Sequence, residues 1–192
     1  MRKRSPEFKS AMAAYDADDD VQAFRLMEAC AEAGDPIACI MAALWCQKGE
    51  GTAVNLERCA HWIGRLEAIA HEGDLEAQWK LNCMYRWADV VCLDIELANR
   101  WLECAAKGGY GEAQHHLAWY YETGQYGYPV DLSKANAWYE KAFALGNPET
   151  LYLFALREFQ DGKPTEAAIR LLKQAADKGF SQARYVLEDF GY

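Results

Sequence analysis

Four histidines and seven cysteines are the reactive groups of this sequence, and their spacing sets what they can do. His115-His116 is the one adjacent histidine pair, and imidazole is a common metal ligand near neutral pH. Neighbours on a helix point about 100 degrees apart, so the two rings cannot chelate one ion well. His61 and His71 belong to a different helix, and no metal is expected. The cysteines stand at 30, 39, 46, 59, 83, 92 and 104. Their odd number leaves at least one unpaired in a monomer, and no Cys-x-x-Cys redox pair is present. Asp16, Asp18, Asp19 and Asp20 look like a calcium loop until the spacing is checked. The sixth position would be Val21 where glycine is needed, and the twelfth Met27 where glutamate is needed. These acids suit the positive end of a helix over Val21 to Ala33. No stretch matches a phosphate loop, a dinucleotide fingerprint, a nucleophile elbow or a zinc-protease helix. No catalytic residue and no cofactor are expected.

The clearest carrier of these side chains is Ala113 to Gly146, which reads as two amphipathic helices joined by a turn. Ala113, Leu117 and Tyr121 recur at i, i+4 and i+8 on one face. The run Gly124 to Pro129 breaks the helix. Asp131, Leu132 and Ser133 open a second helix, where an acid or hydroxyl accepts the first free amides. Ala135, Trp138 and Ala142 form its stripe, and Gly146 ends it with a left-handed cap. Such a hairpin cannot bury both stripes alone, and the chain repeats it. A glycine followed four residues later by a small residue occurs at Gly34, Gly73, Gly109, Gly146 and Gly179, at intervals of 39, 36, 37 and 33. Asn55-Leu56, Asp94-Ile95 and Asp131-Leu132 each precede a tryptophan, Trp62, Trp101 or Trp138, in one constant register. An interval of about 36 is two helices of roughly 12 to 14 residues with two short loops.

The pattern A-x-x-x-L-x-x-x-Y-x-x-G, then V-D-x-x-x-A-x-x-W, then A-x-x-x-G, resembles the Sel-one-like repeat, a relative of the tetratricopeptide repeat. It fits best at Ala113 to Gly146. At Ala77 to Gly109 the glycine turn is replaced by Trp87-Ala88-Asp89, and at Ala38 to Gly73 three extra residues follow Trp62. At Thr150 to Gly179 the fit is weak, with Glu158 in the tyrosine column and Leu171 in the tryptophan column. The resemblance implies an all-α, right-handed α-solenoid of antiparallel helix hairpins and a single domain over 1–192. Its parts would be a half-repeat at 20–36, repeats at 37–73, 75–109, 111–146 and 149–179, and a terminal helix at 181–190. Residues 1 to 10 are expected to be a frayed basic lead, with a first helix over Ser10 to Ala17. Cysteine-rich members of this family carry a disulfide at a helix corner, which implies a bridge between Cys30 and Cys39. Cys83 and Cys92 bracket the next turn, and the connectivity stays open.

Composition narrows the partners. A formal charge of −9 argues against nucleic acid or an anionic membrane, either of which needs clustered Lys and Arg. No apolar run approaches the roughly 18 residues of a spanning helix, so membrane insertion is not expected. Met1-Arg2-Lys3-Arg4 leads into Ser5-Pro6 and no apolar core, so no signal peptide is visible. The compartment as written is cytoplasmic, or periplasmic if a leader was removed.

The family resemblance places helix A of each repeat on the concave side. Counted from the column alanine, offset +2 reads Ile40, Trp79, His115, Tyr152 and Tyr185. Offset +6 reads Leu44, Cys83, Trp119, Leu156 and Asp189, and offset +9 reads Gln47, Arg86, Glu122, Phe159 and Tyr192. A solvated face would carry Lys, Glu and Ser, whereas these columns carry the types enriched at binding hot spots. Trp87 at the altered turn and the loop residues Tyr126 and Tyr128 add exposed rings. The candidate partner-binding set is Ile40, Trp79, Arg86, Trp87, His115, Trp119, Glu122, Tyr152, Phe159 and Tyr185. The alternative is that these columns are additional core. The resemblance implies a non-catalytic module binding a protein or peptide, including an immunity protein that neutralises a secreted effector such as a phospholipase. Other readings are a signalling or envelope scaffold, or a lactam-binding or lactam-hydrolysing enzyme.

Overall fold

Helix starts written into the sequence recur in the computed structural model, which describes residues 3–87 and 91–192. The described helices are α1 (Pro6–Asp16), α2 (Asp20–Glu32), α3 (Pro36–Lys48), α4 (Leu56–His71), α5 (Leu75–Trp87), α6 (Ile95–Gly108), α7 (Gly111–Thr123), α8 (Leu132–Ala144), α9 (Pro148–Arg157), α10 (Glu166–Asp177) and α11 (Ser181–Asp189). The chain is an all-α helical repeat protein. Asn55 Oδ1 accepts from Arg58 N at 2.9 Å, Asp94 Oδ1 from Leu97 N at 2.9 Å, and Asp131 Oδ1 from Lys134 N at 3.0 Å. These equivalent caps open α4, α6 and α8 and satisfy amides that the helix leaves without partners. Ala88 and Asp89, expected with Trp87 to replace a glycine turn, lie outside the described residues. No helix among the described residues is long and apolar enough to cross a membrane.

The chain forms two units, Met1–Cys104 and Ala105–Tyr192. In the first, each helix from α1 to α5 packs on the next. Met27, Leu66 and Leu81 are wholly buried there, and Trp45 and Trp62 lie in the same core. The start of this unit corrects the frayed lead. Ser5 caps α1 by accepting from Phe8 N at 3.1 Å. Arg4 Nη1 sits 2.9 Å from Asp35 Oδ2, Arg4 Nη2 donates to Glu76, and the guanidinium lies 5.5 Å from the Phe8 ring. One guanidinium therefore ties the chain start to α3 and α5. Arg4→Ala is expected to lower stability by about 2 kcal/mol, as loss of a half-buried ion pair with two partners should. Faster hydrogen exchange in α1 is the measurement, and unchanged exchange there would contradict the anchoring.

The Cys30–Cys39 bridge is also corrected, for both are buried free thiols. Cys39 Sγ donates to Ala31 O at 3.7 Å. Gln78 Nε2 and Gln114 Nε2 donate in the same way to Ala70 O and Ala106 O, each at 3.0 Å. All three follow a column alanine and bond the carbonyl eight residues back. Cys39 thus fills a donor position of the repeat, and burial pushes its thiol up to about 12, far from a reactive thiolate.

In the second unit α7 packs on α8, α9 on α10, and α10 on α11. Leu117 and Leu172 are buried between them. After α9 the chain makes a short hairpin of β1 (Phe159–Gln160) and β2 (Lys163–Pro164), which the helical register did not anticipate. Asp161 and Gly162 carry φ values of 50° and 73°, the two left-handed positions that a tight hairpin turn requires. The Asp-Gly pair carries that signal, and here it overrides the helical register.

Candidate functional site

The second unit holds a groove of about 580 Å³. α7 contributes His115, His116, Trp119 and Glu122; Trp119 is one turn from each of the other three, and the two histidines flank the stripe. α8 contributes Tyr139, and α9 contributes Glu149, Tyr152 and Leu153. Phe180 and Gln182, at the start of α11, complete the lining. The rings support one another: His115 lies 5.4 Å from Tyr139, and Tyr152 lies 5.2 Å from Phe180. Glu122 Oε2 accepts from the Tyr139 hydroxyl at 2.8 Å. Burial, then that bond, raises the Tyr139 pKa, so the hydroxyl keeps its proton.

The tautomer of His115 is assigned from its hydrogen-bond network. Asn147 Oδ1 accepts from Thr150 N at 2.9 Å, which fixes the orientation of the amide. The same oxygen accepts the Thr150 hydroxyl proton at 2.9 Å. That hydroxyl has no second hydrogen, so the arrangement that satisfies every group has His115 Nδ1, at 2.9 Å from Thr150 Oγ1, as the donor. Nε2 then carries a lone pair and lies 3.6 Å from Glu149 Oε2. Burial, helped by His116, lowers the His115 pKa to about 4, so at neutral pH this is no ion pair. Burial, then Glu112, raises the Glu149 pKa. With His115 neutral and Glu149 ionised, the wall of the groove presents two acceptors side by side.

Of the ten expected binding residues, His115, Trp119, Glu122 and Tyr152 come together in this groove. Arg86 does not belong to a surface. It is 3% exposed, and its Nη2 donates to Asn82 and Asn99 at 2.9 and 2.8 Å. Ile40 is half-buried against the core of the first unit, and Trp79 is half-buried on α5. Trp87 is exposed at the end of α5. Phe159 leaves the helical column for β1, where its ring lies 5.9 Å from Phe190. Tyr185 is exposed on α11, outside the lining. The loop rings are corrected too. Tyr128 is buried and Tyr126 half-buried, with centroids 5.8 and 4.9 Å from Tyr120. Tyr139, Glu149, Leu153, Phe180 and Gln182 were not anticipated, because they come from a second helix and from repeat corners that the helix A columns do not include. His116 was seen only as a failed chelator.

A search of the curated proteins returns no match to the sequence. Among solved structures, a Sel1 repeat protein from Oxalobacter formigenes is 28% identical with a TM-score of 0.62, over 89% of this chain and 49% of that one. The protective antigen c5321, present in uropathogenic Escherichia coli strains and displaying an SLR fold, is 24% identical with a TM-score of 0.57, over 90% of this chain and 38% of that one. This chain thus spans half or less of the length of either protein, and the second likeness speaks to fold alone. The immunity protein Pa5087 from Pseudomonas aeruginosa is 16% identical with a TM-score of 0.44, over 95% of this chain and 84% of that one; at that distance it carries no argument. The Sel1 repeat model matches residues 36–65, 76–110, 111–147 and 158–180. These stretches take in more than half of the chain, and the middle two each lie over a helix pair, so the chain belongs to the Sel1 repeat family.

Proposed function

We propose that this chain is a non-catalytic member of a family of protein-interaction modules, and that it holds a segment of a protein partner in the groove of its second unit. The observation that carries the reading is Trp119, Tyr152 and Phe180 left only half-buried around an open groove. Rings held by packed helices bind with little loss of conformational freedom. The described lining residues include no serine or cysteine, so a lactam-hydrolysing reaction has no such nucleophile there.

The test is capture from the native organism. Trp119→Ala is expected to weaken the captured partner about 30-fold, roughly 2 kcal/mol, as loss of a hot-spot ring does, while thermal unfolding stays cooperative. Equal retention by wild type and Trp119→Ala would refute the groove. A single secreted effector held one-to-one would make the chain an immunity protein, and several co-purifying partners would make it a scaffold.

A further inference from the structure

We infer that the groove anchors a cationic side chain, the ammonium of lysine or the guanidinium of arginine, on a basic segment of its partner. The inference rests on the binding role proposed above and adds the chemistry of what is bound. Its first support is the pair of acceptors. Thr150 and Asn147 place the ring proton of a neutral His115 on Nδ1, which leaves Nε2 of that neutral ring as an acceptor. Glu149 Oε2, 3.6 Å away, also accepts. Two acceptors at that separation do not satisfy each other, and a group with several N–H hydrogens and no lone pair satisfies both. Ammonium and guanidinium are the side-chain groups of that kind.

The second support is independent of the acceptors. The aromatic rings of Trp119, Tyr152 and Phe180 line the same space. The faces of such rings attract cations, and their surfaces cover the apolar stems of Lys and Arg. The third is charge. The described lining residues include two carboxylates, Glu122 and Glu149, and no lysine or arginine, in a chain of formal charge −9. An acidic segment would face both carboxylates, with Arg157 lying behind the wall 5.7 Å from the Tyr139 ring, and a purely apolar one would cover the two acceptors without supplying a hydrogen, leaving Glu149 only the distant His116 Nε2 at 4.0 Å.

The full chain, labelled with nitrogen-15, would be titrated with blocked pentapeptides that differ only at the centre: lysine, arginine, acetyl-lysine or glutamate between leucines. Shifts of the Trp119 indole and the His115 ring report binding. The lysine or arginine peptide is expected to bind at least ten times more tightly than the acetyl-lysine and glutamate peptides. Glu149→Gln is expected to remove most of that preference without moving the other tryptophan indoles. Equal binding of acetyl-lysine, or an unchanged preference in Glu149→Gln, would overturn the cation anchor while leaving the groove as a binding site. No shift with any of the peptides would overturn it as well. Failure of the binding role itself is read separately, by retention of the captured partner in Trp119→Ala.

Discussion

Lowering the pH from 6.5 to 4 is expected to remove about 3 kcal/mol from the stability of the second unit through His115 alone. In the folded chain burial holds this imidazole neutral down to about pH 4, against 6.5 for a free side chain. Between those values the unfolded chain takes up a proton that the fold refuses. Stability due to this group is therefore intact above 6.5, falls as the pH drops, and levels off below 4. Glu149 works in the opposite sense. Its raised pKa makes the folded state the better proton acceptor at that site, which offsets part of the loss. The measurement is denaturant unfolding of wild type and His115→Gln across this range, with the His115 ring followed by NMR. His115→Gln should lose much less stability on acidification. A ring that titrates near 6.5, or equal acid losses in both proteins, would show that the site is wetter than its packing implies.

Gly51→Ala is expected to cost about 3 kcal/mol, the largest effect of any glycine substitution here. Gly51 has a φ of +65°, and a Cβ placed on it would lie 2.0 Å from Asp20 O and 2.9 Å from Phe24 Cβ. Left-handed strain accounts for about 1 kcal/mol, and forcing the start of α2 away from this turn adds roughly 2 kcal/mol. For a chain of this length the melting temperature should fall by roughly 6 to 12 degrees. Gly34→Ala is the matched control. Its φ is +84° and nothing lies within 4 Å of the added carbon, so strain alone should appear, at about 1 kcal/mol. Equal losses in the two variants would mean that the close approach to Asp20 is easily relieved.

What could be read before any coordinates was the local grammar of the repeat. Asn55, Asp94 and Asp131 cap helices because an oxygen one turn ahead of free amides bonds them wherever the helix lies. The glycines at repeat ends take positive φ for equally local reasons, as Gly34 and Gly146 show. Nearest-neighbour packing then carries a regular period through to a helical repeat. Whether a given column stays open was a different question. Arg86 and Glu122 share offset +9, yet Arg86 turns inward to Asn82 and Asn99 while Glu122 meets Tyr139 beside the groove. Phe159 shares that offset and leaves the helix because Asp161-Gly162 turns the chain sharply. Periodicity places a side chain on a face of its own helix; what covers that face is set by residues tens of positions away. His115 makes the point within one side chain: its position followed from the repeat, but its neutral form follows from burial, and the placing of its ring proton from Thr150 and Asn147, which packing brings from the next hairpin.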